Sequence, residues 1–297
     1  MRVNPNPYPA LLAAVAQTQQ QIQTDEQQIA SGRSVNLPSD NPAAAASLVQ
    51  NADQTSQADQ FERSIGSVQG EIQNADSALN SITTALQQAI TLGVEGANGT
   101  VNSDDRAALA TQVQGIQTQL LSLANLSYQG NYIFSGTATQ TAAYVLDPSS
   151  ASGVTYQGNT GVNSVSLGSQ FSLQTNLPGS QLFSAPGSDM FQSIQNLING
   201  LQSGNGTAIG TAVTEVGTAM NYVDEQSTFY GNALSQLNSQ QTYLSGETTQ
   251  LSQEENTIGG ADLTSVISNL TTSQTSLEAT LQAMGQTSQV DLFDYLK

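Results

Sequence analysis

Residues 209–258 read IGTAVTEVGTAMNYVDEQSTFYGNALSQLNSQQTYLSGETTQLSQEENTI. Ile209, Val216, Val223, Tyr230, Leu237, Leu244, Leu251 and Ile258 recur in it at every seventh position. A seven-residue apolar repeat marks a helix that winds left-handedly on a partner, and no proline interrupts this one. At 1.5 Å rise per residue such a helix is roughly 75 Å long. That is too long for a globule, so the stretch predicts a mainly α chain built as a long coiled-coil and helical-bundle rod.

Partners for that helix lie on both sides of it. From Phe61 the apolar residues step by four and three: Ile65, Val68, Ile72, Ala75, Leu79, Ile82, Leu86, Ile90. Gly93, Gly96 and Asn98-Gly99 then stop the helix. Ser103 is the expected N-cap of the next one, with Asp104 and Asp105 placed favourably against the helix dipole. That helix carries Leu109, Val113, Ile116, Leu120 and Leu123 on one face, and Phe191, Ile194, Ile198 and Leu201 mark a further one.

The two ends repeat the seven-residue pattern more weakly. Tyr8, Val15, Ile22 and Ile29 open the chain, and Leu263, Leu270, Leu277 and Met284 close it, with Ile267 and Leu281 between. The second seam position is often polar: Thr18 and Asp25 at the start, Gln274 and Ser288 at the finish. Half-filled seams make weak isolated helices, whose stability has to come from packing. We therefore expect the two ends to pair with each other and to be completed by another molecule. The assembly contacts expected are Val15, Ile22, Ile29, Leu263, Ile267, Leu270, Leu277, Leu281 and Met284. The tail Leu292, Phe293, Tyr295 and Leu296 places large apolar side chains at a terminus, which reads as a partner- or chaperone-binding surface.

Residues 131–187 change character. Tyr132-Ile133-Phe134, Tyr144-Val145-Leu146, Val154-Thr155-Tyr156 and Val165-Ser166-Leu167 are β-prone, punctuated by Asp147-Pro148, Gly158-Asn159, Gly161, Gly168 and Pro178-Gly179. They predict a small all-β insertion at the tip of the rod. The layout is nested: 1–33 with 263–297 as a terminal coiled-coil domain, 34–130 with 188–262 as a helical bundle, and 131–187 as the β domain.

Composition narrows the chemistry. Cysteine, histidine and tryptophan are absent, and the sole lysine is Lys297. No Ser-His-Asp or Cys-His nucleophile can be assembled, nor a zinc site of the Cys or His type. A carboxylate enzyme on the β insertion would need a pair of acids, and 131–187 offers Asp147 alone. An enzyme is not expected, and neither is a cofactor or a metal. With net charge −18 and arginine only at 2, 33, 63 and 106, phosphate binding lacks its clustered cations, so nucleic acid is excluded as a partner. No apolar run is long enough for a spanning helix, so membrane insertion is not expected. The first residues lack the apolar core of a signal peptide. The wealth of Gln, Ser, Thr and Asn would suit disorder, but the periodicity argues against it.

Weaker motifs read as structure. Gly204-Asn205-Gly206 has the wrong spacing for a nucleotide loop and follows a helix, so we read it as a turn. Asn98–Asp104 alternates oxygen ligands but lacks the glycine and closing glutamate of a calcium loop. Asn98-Gly99-Thr100, Asn125-Leu126-Ser127, Asn205-Gly206-Thr207 and Asn269-Leu270-Thr271 match the glycosylation acceptor pattern, as chance provides in a chain rich in these residues. Asp104-Asp105 and Glu254-Glu255 read as solvated helix surface.

Ile29-Ala30-Ser31-Gly32-Arg33-Ser34-Val35, followed by Pro38-Ser39-Asp40-Asn41-Pro42-Ala43-Ala44-Ala45, resembles the block after the first helix in the flagellin-like axial proteins of the bacterial flagellum. Three further stretches resemble the hook–filament junction branch of that family. One runs from Asp104-Asp105-Arg106 through Asn125 to Gly130-Asn131-Tyr132-Ile133-Phe134-Ser135-Gly136-Thr137. The others are Val154–Asn159 with Asn176-Leu177-Pro178-Gly179 and Phe183, and the closing Leu292-Phe293-Asp294-Tyr295-Leu296. Two departures stand out: where the family block carries two basic residues only Arg33 remains, and Pro5, Pro7 and Pro9 delay the first helix. The resemblance implies a structural adaptor joining hook to filament, with a filament-forming flagellin as the alternative. It also implies export through the flagellar type III apparatus to the extracellular flagellum. The partners implied are the first hook-associated protein, flagellin, copies of the chain in a ring, and an export chaperone.

Overall fold

The computed structural model describes residues 8–168 and 171–294, with side chains described through residue 286. The described chain is mainly α. Its helices are α1 (Tyr8–Ser31), α2 (Pro42–Gly96), α3 (Ser103–Ala124), α4 (Gly179–Leu182), α5 (Met190–Ser203), α6 (Gly206–Gly259) and α7 (Leu263–Asp294). Three two-stranded antiparallel sheets lie between α3 and α4: β1 (Ser127–Tyr128) with β2 (Asn131–Tyr132), β3 (Tyr144–Leu146) with β4 (Val154–Tyr156), and β5 (Ser164–Ser166) with β6 (Ser172–Gln174). The chain divides into two compact units, Ala58–Ser245 and Met1–Gln57 with Gly246–Lys297.

The larger unit is a helical bundle whose core is the stripe read from the sequence. Ile209, Val216, Val223, Tyr230, Leu237 and Leu244 of α6 are all buried, as are Ile65, Ile72, Leu79, Ile82 and Leu86 of α2. Burying each such side chain contributes about 1.5–3 kcal/mol. Helices α2 and α6 run antiparallel: Gln69 Nε2 donates to Asn238 Oδ1 at 3.1 Å, and Gly93 backs onto Val213. Helix α3 packs on α5, with Gln117 Nε2 donating to Gln195 Oε1 at 3.1 Å.

The helix ends follow short-range chemistry. Helix α3 is capped by Asn102, whose Oδ1 accepts from Asp105 N at 2.8 Å. The expected cap, Ser103, is instead the first helical residue, because the longer amide side chain one position earlier reaches the third amide. Asp189 caps α5 in the same way, accepting from Gln192 N at 2.8 Å, and Gly204 ends it in the left-handed region at φ +69°.

The β-hairpins hang on one aromatic cluster. The Asn125 side chain pairs with both backbone groups of Tyr144, accepting from its N at 2.8 Å and donating to its O at 2.7 Å. The Tyr144 ring then lies 4.9 Å from Phe191 and 5.1 Å from Tyr156, and its hydroxyl donates to Gly179 O at 2.8 Å. Phe134 meets Phe183 edge-on at 5.2 Å. Strands β3 and β4 coincide with the predicted pieces. The predicted Tyr132–Phe134 strand stops at Tyr132, because Ile133 and Phe134 turn into the core.

Candidate assembly surface

The terminal unit is built from α1, α7, the start of α2 and the end of α6. Helix α1 stops at Gly32, which takes φ +67° and donates its N–H to Gln28 O at 2.9 Å, the left-handed closure that glycine provides without strain. The chain then pairs with the end of α6 and the connection to α7 through main-chain bonds. Ser34 N donates to Gly259 O at 2.7 Å and Ala261 N to Gly32 O at 3.0 Å, around an antiparallel bridge between Arg33 and Gly260. Ser34 Oγ adds a bond to Gly259 O at 3.2 Å, so serine serves at this position by hydrogen bonding rather than charge. Arg33 pairs with Glu255. Asp40 Oδ2 accepts from the amides of Asn36 and Leu37 at 3.0 and 2.8 Å. Asn41 caps α2 by accepting from Ala44 N at 3.1 Å, with Pro42 in the first helical position.

From that joint α1 and α7 pack on each other. Along one stripe, α1 withdraws Leu11, Val15, Thr18, Ile22, Asp25 and Ile29 from solvent, with Gln28 half-buried beside it. The stripe of α7 is Val266, Leu270, Ser273, Leu277, Thr280 and Met284. Both sets alternate steps of four and three, the spacing of a coiled-coil seam. The most buried described position of α7, Val266 at 7% exposure, was missed by sequence reasoning, because a four-three alternation through Ile267 fits the sequence equally well. Asp25 lies deep in the seam at 2% exposure. Its Oδ1 accepts from Gln21 Nε2 at 3.0 Å, while Oδ2 has no hydrogen-bond partner.

The predicted contact residues therefore divide. Val15, Ile22, Ile29, Leu270, Leu277 and Met284 are half-buried, whereas Leu263, Ile267 and Leu281 stand exposed along α7 at 44%, 52% and 51%. Tyr8 and Leu12 of α1 are also exposed. Large aliphatic side chains in a row on a helix mark a surface suited to covering by another molecule. Of the predicted tail, Leu292 and Phe293 continue the α7 backbone with side chains outside the described residues, and Tyr295 and Leu296 lie outside them altogether. Among the described residues no three His, Cys, Asp or Glu side chains cluster as a metal site, and no helix is long and apolar enough to cross a membrane.

This arrangement of nested, paired terminal helices is that of the flagellins, and the chain belongs to the flagellin family. Residues 5–139 match the bacterial flagellin N-terminal helical region and residues 213–296 the C-terminal helical region. Within that class it is similar to flagellar hook-associated protein 3 of Escherichia coli (strain K12), at 39% identity over 119 residues. That alignment takes in 40% of this chain and 38% of the relative, so well under half of the relative's length is matched. The fold is shared with Bacillus cereus FlgL, at TM-score 0.61 and 19% identity over 70% of this chain and 99% of that one. The flagellar junction protein FlgL from Legionella pneumophila gives TM-score 0.61 at 12% identity, covering 72% and 99%.

Proposed function

We propose that the chain is a structural adaptor subunit of the bacterial flagellum, seated between hook and filament, and not an enzyme. The observation that carries this reading is the terminal unit. There, α1 and α7 satisfy one seam with each other and leave Leu263, Ile267 and Leu281 uncovered on the second. In a subunit that assembles, that row is where neighbouring copies close, with the tail Leu292, Phe293, Tyr295 and Leu296 extending the contact or engaging an export chaperone. The similarity to hook-associated protein 3 and to two FlgL folds supports the junction over the filament. The reading includes export through the flagellar type III apparatus and contacts with the first hook-associated protein on one side and flagellin on the other. It also assigns 1–33 with 263–297 to assembly, 34–130 with 188–262 to the bundle, and 131–187 to the β hairpins.

Electron microscopy of the purified chain, alone and with isolated hooks bearing the first hook-associated protein, tests it. The adaptor reading expects no long homopolymer, capped hooks, and filament growth once flagellin is added. Long filaments of the chain by itself would make it a flagellin. Removing residues 291–297 should abolish capping or chaperone binding while the larger unit stays folded; unchanged capping and binding would refute the tail assignment.

A further inference from the structure

The turn between α2 and α3 holds an asparagine in an unusual set of contacts. Asn98 is exposed and is followed by Gly99, above which a Cβ would meet nothing. Its side-chain Oδ1 accepts two hydrogen bonds from one residue, from Thr100 N at 3.2 Å and Thr100 Oγ at 3.0 Å. Its main-chain oxygen accepts from Val101 N at 3.1 Å and from the guanidinium of Arg106, whose Nη2 is 3.2 Å away. Arg106 is fixed in that pose by Nε, which donates to Gly96 O at 3.0 Å.

Each contact acts on a different atom of one reaction. The Asn98 main-chain oxygen and the Gly99 nitrogen belong to the same peptide group. A cation bonded to that oxygen stabilises the anion left when the Gly99 N–H loses its proton. Two donors on Oδ1 withdraw electrons from Cγ and hold the oxyanion that forms when a nucleophile adds there, the arrangement by which enzymes stabilise tetrahedral intermediates. Glycine at the following position leaves the nitrogen unhindered.

The geometry points to Asn98 as a site of self-modification, at which the chain closes a succinimide and opens it to aspartate or isoaspartate. Hydroxide removes the Gly99 amide proton, and the nitrogen forms a bond to Asn98 Cγ. The Cγ–Nδ2 bond breaks, and Nδ2 leaves as ammonia after taking a proton from solvent. Water then adds to either ring carbonyl. Opening at one leaves an ordinary aspartyl residue in place of the asparagine; opening at the other gives the isoaspartyl linkage, with one more methylene in the main chain. No oxidant or reductant takes part. The product carries one more negative charge, set beside Arg106 in the α2–α3 connection.

The chain supplies its own controls in two other Asn-Gly pairs. Asn199-Gly200 lies inside α5, with Gly200 packed against the backbone of Ile209. Asn205 precedes α6, and its Oδ1 accepts from Thr207 N at 3.1 Å and Ala208 N at 3.2 Å, while Gly206 is held in the first helical turn. The Asn205 main-chain oxygen accepts from the neutral amide of Ile209 at 3.0 Å, where Asn98 has a guanidinium.

The test incubates the purified full chain in warm, mildly alkaline buffer and follows all three peptides by mass spectrometry, with separation of the isoaspartyl form. Asn98 should convert ahead of Asn199 and Asn205. Thr100→Val, which removes the hydroxyl donor at the surface, should slow it at least about tenfold, on the scale set by the loss of one oxyanion donor. Arg106→Met should slow it as well, and Gly99→Ala should nearly stop it, with circular dichroism confirming intact helices in each variant. Conversion at Asn98 no faster than at the other two, or unchanged in Thr100→Val, would overturn the assignment. A glycan on Asn98 in place of the small mass gain would overturn it too.

Discussion

Asp25→Leu should tighten the pairing of the terminal helices, and the size of the effect follows from what surrounds the carboxylate. Asp25 is 2% exposed, and only one of its oxygens is hydrogen-bonded, to the side chain of Gln21 one turn back on the surface. Leaving a buried acceptor unmatched costs about 1–3 kcal/mol. Burying leucine at the same seam position contributes about 1.5–3 kcal/mol. The seat is shaped for a smaller side chain, and overpacking takes back about 1–3 kcal/mol. Central values leave about 2 kcal/mol in favour of the variant, or roughly a thirtyfold change in an opening equilibrium at about 1.4 kcal/mol per decade. Amide hydrogen exchange read by mass spectrometry reports that equilibrium segment by segment. Protection should rise in residues 8–31 and 263–286 together and stay unchanged in α3 and α5. Reduced protection in the terminal helices would refute the reasoning, by showing that the unmatched oxygen has a partner worth more than the seam gains. Asp25→Asn should give the same sign with a smaller change.

Tyr230→Phe removes the oxygen that accepts from Leu177 N at 3.2 Å in a fully buried site; denaturant unfolding should show a loss of about 1–3 kcal/mol. Gly93→Ala sets a methyl 2.5 Å from Val213 and 2.9 Å from Leu197, so the α2–α5–α6 contact should lose about 1–3 kcal/mol despite the better helix former, and a Tm at or above the parent's would contradict this. Burial pushes the Glu71 carboxyl above its ordinary range. The folded state therefore favours its protonated form, and the stability tied to that proton is full at acid pH and lost as the pH rises through the raised value. Glu71→Gln should raise Tm near neutrality and leave it little changed in acid; equal shifts at both pH values would assign the effect to packing instead.

Much of the fold was legible because its periods are long. Eight repeats in α6 leave one possible face, and every one of them from Ile209 to Leu251 is buried. The ends were harder. On α7 two apolar stripes share Leu270, Leu277 and Met284, and periodicity alone does not say whether Val266 or Ile267 completes the inner one. The answer comes from α1, whose pairing buries Val266 and leaves Ile267 outside. Strands β1 and β6 were not anticipated because Ser127–Tyr128 has only two residues and Ser172–Gln174 a single apolar one, and their pairing partners, not their own side chains, make them strands. Asp25 was read as a polar interruption of the seam, but its unmatched oxygen belongs to the packed pair and has no signature in one dimension.

The joint at Gly32 and Gly260 has a consequence for how this chain tolerates its surroundings. Its register is set by Ser34 N on Gly259 O and Ala261 N on Gly32 O, bonds between main-chain groups. The adjoining Arg33–Glu255 pair sits near the surface, with each side chain close to half exposed, where such pairs are worth little and fade with salt. Ionic strength and drift in side-chain chemistry therefore act on a joint whose alignment does not depend on them. Brine, dilution or the exchange of Arg33 for a neutral residue should leave the terminal helices meeting in the same register.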